Sequence, residues 1–337
     1  MSETTSMLQV TDLRVQFPVY GGRVHALNGV NLRVDAGEIV GVVGESGSGK
    51  SVTAMLAMQL LPRGSYQVVS GDIRLLGRDV LTATDGQMNQ MRGKDVSMIF
   101  QEPMNALNPT RKIGRQMVEV IRRHQALDKG AARRKAVDLL TQMQIPDAEQ
   151  VLERFAFELS GGMRQRVLIA MAFSCEPRLI IADEPTTALD VTVQRQVLAL
   201  LKHKARADGT AVLFITHDMA VVSQLCDRVY VMYAGQVVES GATASLMARP
   251  QHPYTQGLLR AAPETVAPGQ PLEAIPGTVP NLIRPPQGCA FANRCARADD
   301  RCQQVPSLQP LAGGQVACWQ AAVPADAATR QEPAYEC

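Results

Sequence analysis

The sequence predicts an α/β protein built around a mostly parallel sheet. Short apolar runs rich in Val and Ile recur along the chain, and longer segments with helical periodicity lie between them. Strands and helices in alternation form parallel sheets, because each helix carries the chain back to begin the next strand in the same direction. The 337 residues, 46% of them hydrophobic, suffice for about two domains with cores of their own.

The predicted elements follow in order along the chain. The first buried strand covers 38–44 and leads through a glycine-rich turn into a helix over 51–61. The segment 85–172 has mainly helical patterns, so we predict a helical lobe apart from the sheet. Beyond this lobe, strands are predicted at 179–182, 212–215 and 229–232, and a helix over 190–204.

The composition changes near residue 250. Seven prolines lie from Pro263 to Pro286, and proline interrupts both helices and central strands. We therefore expect an irregular connector over 250–288. Five of the seven cysteines lie in the last 49 residues, which indicates that the C-terminal end differs in kind from the rest.

Charge and hydropathy exclude several classes of function. The 34 basic and 32 acidic side chains leave a net charge of +2, which offers no electrostatic case for binding nucleic acid. No run approaches the roughly 20 apolar residues of a membrane helix, and the first residues lack the pattern of a secretory signal. We expect a cytosolic protein that reaches a membrane only through a partner.

The glycine-rich turn is Gly44-Glu45-Ser46-Gly47-Ser48-Gly49-Lys50-Ser51, which fits the phosphate-loop pattern G-x-x-x-x-G-K-[ST] at every fixed position. Glycines let backbone N–H groups approach phosphate oxygens, and the start of the following helix adds a favourable dipole. Lys50 is predicted to neutralise the β- and γ-phosphates, and the Ser51 hydroxyl to bind Mg²⁺. The alternative is an ordinary glycine turn.

Two carboxylates, Asp183 and Glu184, follow the apolar strand that begins at Leu179. The carboxyl ends of parallel strands form the edge at which open α/β folds bind ligands. Asp183 is placed to reach Mg²⁺ through water, and Glu184 to polarise an attacking water. Acidic residues after a strand are common, but beside a phosphate loop they predict nucleotide hydrolysis.

The segment Leu159-Ser-Gly-Gly-Met-Arg-Gln-Arg166 resembles the signature of ATP-binding cassette (ABC) ATPases, with Met163 in place of glutamine. Its Ser160, Gly161 and Gly162 open a helix, whose free N–H groups suit a phosphate. The resemblance implies that these residues close on the ATP of a second subunit, head to tail. It also implies that Glu184 hydrolyses the ATP held between the two subunits, at this chain's own phosphate loop.

Other motifs of the same family match in order along residues 7–250. Gln101 resembles the Q-loop glutamine, and the resemblance implies that it takes part in catalysis and binds Mg²⁺. Asp190 lies in a segment that resembles the D-loop, and His217 resembles the switch histidine. Tyr20 lies where the family often stacks an aromatic ring on adenine; Phe17, or no aromatic contact at all, is the alternative.

The resemblance implies a fold and a domain organisation. Residues 1–250 would form the ABC nucleotide-binding domain, a P-loop core with an antiparallel β subdomain and a helical subdomain at about 85–172. Residues 251–337 would form a small, irregular, cysteine-rich extension. Within it, 249–255 and 275–280 resemble the C-terminal extension of dipeptide and oligopeptide importer ATPases.

Membership of that branch implies a function and a set of partners. The chain would power peptide import from the cytoplasmic face of the membrane, and some details look closest to D,D-dipeptide importers. Its partners would be a second ABC ATPase, preferably a different chain, two membrane-spanning permeases and an external peptide-binding protein. The alternative is a soluble ABC regulator whose cysteines sense iron or redox state.

Four cysteines in the extension form a candidate metal site: Cys289, Cys295, Cys302 and Cys318. Zinc ribbons usually pair cysteines two to four residues apart, whereas these are wider spaced. The spacing, and a resemblance to the motif of some dipeptide-importer ATPases, favour a [4Fe–4S] cluster that staples the small domain. Zinc, or thiols without metal, are the alternatives. Cys175, Cys226 and Cys337 are not predicted as ligands.

Overall fold

The computed structural model describes residues 6–187, 189–261, 274–311 and 313–321, and these residues form two sheets with helices packed against them. The strands are β1 (Ser6–Val19), β2 (Gly22–Asp35), β3 (Ile39–Val43), β4 (Gln67–Leu75), β5 (Arg78–Asp79), β6 (Val96–Ile99), β7 (Leu179–Asp183), β8 (Ala211–Thr216), β9 (Arg228–Tyr233), β10 (Gln236–Ala242), β11 (Gln309–Leu311) and β12 (Gly314–Val316).

Helices account for much of the remaining described chain. They are α1 (Lys50–Ala57), α2 (Asp85–Met91), α3 (Pro103–Ala106), α4 (Ile113–His124), α5 (Lys129–Gln142), α6 (Ala148–Leu152), α7 (Gly161–Phe173), α8 (Val191–Asp208), α9 (Met219–Leu225), α10 (Thr243–Ala248) and α11 (Pro253–Arg260). Within the described ranges, no helix has both the length and the apolar character needed to cross a membrane.

The central sheet has eight strands in the order β11-β12-β10-β9-β3-β8-β7-β6. The five strands from β9 to β6 are parallel, which confirms the predicted parallel core. Every residue of β3, β7 and β8 is buried, because helices cover both faces of a parallel sheet. This burial explains why these strands appear in the sequence as continuous apolar runs.

The second sheet is antiparallel, in the order β2-β1-β4-β5. Its strands alternate between buried and exposed residues over much of their length, as in Leu8, Val10, Leu13 and Val15 of β1. Their buried side chains share a hydrophobic core with α1 and one face of the central sheet. The antiparallel subdomain implied by the family resemblance is present.

The segment 85–172 is mostly helical, as predicted, but it also contains β6, an edge strand of the central sheet. Helices α4, α5 and α7 pack together, and Met117, Leu139 and Val167 are among the buried side chains that they contribute to one hydrophobic core. The four residues of β6 are too few for periodicity to separate them from a buried helical turn. This strand was therefore not predicted.

The C-terminal part is more regular and more closely joined to the cassette than the proline count indicates. Helix α11 lies inside the predicted irregular connector; it begins at Pro253, and the His252 side chain caps it by accepting the N–H of Tyr254 (3.0 Å). Strand β12 pairs with β10, so the extension adds two strands to the central sheet. Residues 262–273 of the connector, and Cys337, lie outside the described residues.

Candidate active site

The phosphate loop connects β3 to α1, and two of its glycines stand where no side chain fits. A Cβ on Gly44 would lie 2.1 Å from the carbonyl oxygen of Met232 on β9. Gly49 caps α1 with a φ of +100°, and a Cβ there would lie 2.7 Å from Leu27 Cδ2. The loop is thus pressed against β9 and β2, and its backbone shape depends on these glycines.

The loop lines a cavity of about 690 Å³. Residues from three parallel strands face the same cavity: Gln101 follows β6, Glu184 follows β7 and His217 follows β8. The structure therefore brings together residues that are more than 110 positions apart in the sequence, at the edge where parallel α/β sheets bind ligands. The cavity is lined by Glu45–Val52, Gln101, Glu184, His217 and Leu258.

Lys50 is buried at the base of the loop. Its Nζ donates hydrogen bonds to the carbonyl oxygens of Gly44 (2.7 Å) and Glu45 (2.9 Å). Burial lowers the pKa of the Lys50 ammonium, while the nearby carboxylates of Glu184, Asp183 and Glu45 act in the opposite direction. The side chain thus sits where a phosphate entering the loop would meet it.

Ser51 and Asp183 are in direct contact at the start of α1 and the end of β7. The Ser51 hydroxyl donates to Asp183 Oδ1 at 2.9 Å. Burial raises the pKa of the Asp183 carboxyl, and the hydrogen bond from Ser51 opposes that rise. Adjacent hydroxyl and carboxylate oxygens are the ligand type that Mg²⁺ prefers, so these two residues fit the predicted ion.

Glu184 is the point where the predicted catalytic residues meet. Its Oε2 lies 3.2 Å from Gln101 Nε2, 3.0 Å from Thr187 Oγ1 and 3.3 Å from His217 Nδ1. Its φ is +45°, in the left-handed region that side chains other than glycine seldom adopt. Such backbone strain is concentrated at functional sites, because the surrounding structure has to maintain it.

The signature and the D-loop form a different part of the surface. Ser160 caps α7 by accepting the N–H of Met163 (3.3 Å), and Asp190 caps α8 by accepting the N–H of Val193 (2.9 Å). Gly161 lines a cavity of about 250 Å³ that shares Gln101 with the phosphate-loop cavity but none of the loop residues. A Cβ on Gly162 would lie 2.6 Å from Val193 Cγ1, so this glycine allows α7 and α8 to pack closely.

Tyr20 is fully exposed in the turn between β1 and β2. The proposed contact with adenine stays a prediction.

The extension brings residues to the phosphate loop that were not predicted from the sequence. Leu258 of α11 lines the cavity. The Tyr254 hydroxyl accepts the backbone N–H of Glu45 (2.8 Å), and Arg294 forms an ion pair with the Glu45 side chain. No short motif connects these positions, because Arg294 and Glu45 are 249 residues apart.

Comparison with known proteins identifies a matching family for each of the two parts of the chain. The ABC transporter family model matches residues 27–187, and the model for the oligopeptide/dipeptide transporter C-terminal region matches residues 238–302. The probable D,D-dipeptide transport ATP-binding protein DdpD of Escherichia coli (strain K12) is 65% identical over 318 residues, 94% of this chain and 97% of that protein. This chain belongs to the ABC ATPases.

Other relatives are similar over nearly the same length. The oligopeptide transport ATP-binding protein OppD of Bacillus subtilis (strain 168) is 48% identical, covering 88% of this chain and 84% of its own. Among solved structures, the dimeric ATP-binding cassette MJ0796, in a post-hydrolysis state with ADP and Pi, has a TM-score of 0.63 at 25% identity. It covers 70% of this chain and 99% of its own. The ABC cassette fold and ATP as its nucleotide are thereby confirmed.

The four cysteines of the ABC ATPase extension lie in one segment. The Cys289 N–H donates to the Cys302 carbonyl (2.9 Å), and the sulfurs of Cys295 and Cys318 accept backbone N–H groups. Burial raises the pKa of three of these thiols, those of Cys289, Cys295 and Cys318. Among the described residues, no three His, Cys, Asp or Glu side chains are arranged to hold a metal ion.

The donor atoms thus suit a metal, but their arrangement does not. The predicted [4Fe–4S] cluster and its zinc alternative are not supported by the structure. Cys175 and Cys226, which were not predicted as ligands, are buried and free.

Proposed function

We propose that this ABC ATPase powers the import of dipeptides or oligopeptides, with D,D-dipeptides as the specific class. The observation that carries the proposal is the paired family match, an ABC cassette followed by the peptide-transporter C-terminal region in one chain. The relative at 65% identity is named for D,D-dipeptide transport. That its relatives are transport ATP-binding proteins favours this function over a soluble regulator.

The site suggests how each residue would act on ATP. Lys50 and the loop N–H groups would hold the β- and γ-phosphates, and Ser51, Asp183 and Gln101 would hold Mg²⁺. When bound, Mg²⁺ supplies positive charge that neutralises the phosphate oxygens. The Glu184 carboxylate would orient and deprotonate the attacking water, and His217 and Gln101 would hold that carboxylate in place through their contacts with Oε2.

The dimeric part of the proposal rests on the placement of the signature. Ser160, Gly161 and Gly162 lie at the start of α7, and Gly161 lines a cavity other than the one at the phosphate loop. The two cavities share Gln101, but the cavity at Gly161 contains none of the residues of the phosphate loop. The signature would therefore complete the ATP site of a second ATPase subunit. We propose a different chain as that subunit, together with two permeases and a peptide-binding protein outside the membrane.

The same proposal assigns a division of labour along the chain and a location. Residues 1–250 would act as the nucleotide-binding domain, with its helical subdomain at about 85–172, and residues 251–337 as the extension particular to peptide importers. The protein would sit peripherally on the cytoplasmic face of the membrane. Purification of the complex from membranes tests this: recovery without integral subunits would favour the soluble regulator instead.

The catalytic proposal is tested by Glu184→Gln in the reconstituted transporter. We expect ATP binding to be retained and hydrolysis to fall by about 10²–10⁴-fold, the usual contribution of a general base. ATP should then hold the two ATPase subunits together, which size-exclusion chromatography detects when the two subunits are mixed without the permeases. Glu153→Gln is the control, since Glu153 is a surface carboxylate paired with Lys112 and Arg133. Near-normal turnover in the Glu184 variant would remove this residue from the mechanism.

We also keep the [4Fe–4S] cluster on Cys289, Cys295, Cys302 and Cys318 as a proposal. Its support is the presence of four thiols, two of which accept backbone N–H groups, in one segment with little regular structure. Anaerobic purification should yield a brown protein with broad visible absorbance from thiolate-bound iron. A colourless protein with stoichiometric zinc would replace iron by zinc, and a colourless protein without metal would reject both.

A further inference from the structure

A buried arginine of the extension holds the phosphate loop. Arg294 ends a short 3₁₀ turn, Ala292–Arg294, and its side chain is only 4% exposed. Its Nη1 donates to Glu45 Oε2 at 2.6 Å, and its Nη2 donates to Glu45 Oε1 at 3.0 Å. Two parallel bonds from one guanidinium to one carboxylate are the strongest geometry available to such a pair.

The remaining N–H groups of Arg294 also have partners. Nε donates to the Pro276 carbonyl (2.8 Å), Nη2 to the Ile275 carbonyl (3.2 Å), and Nη1 to the Tyr233 hydroxyl (3.3 Å). With the two bonds to Glu45, all five donors of the guanidinium are used. The aromatic rings of Tyr233 and Phe291 lie 5.7 and 5.9 Å from its central carbon. The orientation of Arg294 is therefore fixed from several sides.

Glu45 is held at three points. Arg294 binds its carboxylate, the Tyr254 hydroxyl accepts its backbone N–H at 2.8 Å, and Lys50 Nζ donates to its carbonyl oxygen at 2.9 Å. Two of these three contacts come from beyond residue 250. Glu45 thus links the extension directly to Lys50, the lysine that faces the phosphates.

The ion pair between Arg294 and Glu45 also changes the charge that ATP meets at the phosphate loop. Glu45 lines the cavity that accepts ATP, and a carboxylate there repels a triphosphate unless a cation compensates it. Arg294 supplies that cation from within the protein. Removal of one partner from a buried ion pair leaves the other charge unpaired, which costs more than the loss of the pair as a whole.

We infer that Arg294 is a positioning residue for ATP: it neutralises Glu45 and fixes the loop backbone that Lys50 and the phosphates share. The inference rests on ATP binding at this loop. Its consequence is energetic coupling, because whatever displaces the segment around Arg294 alters ATP affinity, and ATP by linkage alters the stability of that segment.

The test measures the affinity of Mg²⁺–ATP by titration calorimetry on the full chain. We expect Arg294→Gln to weaken ATP binding by about 10–100-fold, less than the loss of a fully buried charge partner causes, because the Glu45 side chain is 30% exposed. Glu45→Gln combined with Arg294→Gln should recover part of that loss, because no carboxylate is then left unpaired. Arg294→Lys, which keeps the charge but not the paired geometry, should fall between the wild type and Arg294→Gln.

Arg301→Gln is the matched control. Arg301 is an arginine of the same segment, bound through two nitrogens to Asp299 on the exposed surface. Its removal should leave ATP affinity unchanged. Equal losses in both variants, or an unchanged affinity in Arg294→Gln, would overturn the inference. If Arg294→Gln does not fold, the Lys variant and the double variant decide, and wild-type affinity in both would overturn it. A wild-type chain that binds no ATP would instead contradict the nucleotide site itself.

Hydrogen exchange followed by mass spectrometry provides a readout apart from affinity. ATP should slow amide exchange around Cys289–Gln304 in the wild type and in Arg301→Gln, and this protection should be absent in Arg294→Gln at saturating ATP. An extension that merely stabilises the fold would show no ATP-dependent protection there. No change in the wild type would therefore also overturn the coupling.

Discussion

The nucleotide site and the cysteine-rich segment 274–321 are built on opposite principles. The nucleotide site uses eight consecutive loop residues and the ends of parallel strands, so the residues that carry its chemistry lie in short stretches of sequence. The segment 274–321 has two three-residue strands and short 3₁₀ turns, and side chains such as Arg294 and Phe291 join it to the cassette. Local motifs reveal the first region, whereas only the fold reveals the role of the second.

Two glycines allow the same steric test of this contrast. A Cβ on Gly44 would lie 2.1 Å from the Met232 carbonyl, and a Cβ on Gly314 would lie 2.0 Å from the Ser240 carbonyl. Forced backbone shifts of this kind typically cost about 1–3 kcal/mol. In Gly44→Ala we expect the cost to appear in ATP binding, as a loss of affinity of up to about a hundredfold.

In Gly314→Ala the same cost should appear in the free energy of unfolding, because the change disturbs the pairing of β12 with β10. ATP affinity should stay within a factor of a few. Titration calorimetry with ATP and urea denaturation of both variants make the comparison. Gly47→Ala, with no atom within 4 Å of the new Cβ but a φ of +78°, measures the cost of backbone strain from alanine in the loop without a steric clash. A loss of affinity in Gly47→Ala equal to that in Gly44→Ala would contradict the steric explanation.

The next prediction concerns the junction of the two regions, where His252 is buried. Burial lowers the pKa of His252 from its ordinary 6.5 to about 4. Below pH 6.5 the unfolded chain binds a proton at this residue and the folded chain does not, so stability falls as the pH falls towards 4. The loss due to His252 should reach about 2 kcal/mol at pH 5.

His252→Asn should remove this pH dependence, since the Asn oxygen can still accept the Tyr254 N–H as a helix cap. The measurement is the difference in unfolding free energy between variant and wild type at pH 7.5, 6.5, 5.5 and 5. The pKa of the adjacent Glu239 is raised by burial, but this contribution is common to both proteins and cancels. His203→Asn, on the exposed side of α8, is the control. A difference between His252→Asn and the wild type that is constant with pH would contradict the prediction.

The smallest effect is expected from the cap of the signature helix. Ser160→Ala removes the hydroxyl that accepts the Met163 N–H and should cost about 1 kcal/mol of stability. Asp128→Ala, which removes the cap of α5, should cost a similar amount far from the phosphate loop. Only Ser160→Ala should also reduce ATP-dependent association with the second ATPase. Equal association in the two variants would confine Ser160 to a structural role.

A structural feature of this protein can be predicted from the sequence when the residues that form it lie close together in the chain. The loop from Gly44 to Ser51 and the two carboxylates at the end of the strand that begins at Leu179 were predicted, because a glycine pattern and an apolar strand are contiguous signals. Glu184 was expected at the nucleotide site because parallel strands end at one edge, and His217 because of the resemblance to the ABC family. The structure then shows the contacts, 3.3 Å between Glu184 and His217 among them.

Other features carry no local signal. Strand β6 has four residues and β12 has three, too few for periodicity to reveal. The ion pair of Arg294 with Glu45 joins positions 249 residues apart, and each residue alone is an ordinary surface type. Only the packing of Tyr233, Tyr254 and Phe291 around that pair shows that it is internal.

The pairing of β12 with β10 has a consequence for synthesis of the chain. During translation β10 is complete some seventy residues before β12 is made, and until then one of its edges offers unpaired N–H and C=O groups. The nascent cassette is therefore most exposed to mispairing and to chaperone capture between the synthesis of β10 and that of β12, when the motifs of its nucleotide site have already been synthesised. Once β11 is in place, the outermost strand is only Gln309-Pro310-Leu311, and its central proline discourages any further strand from joining.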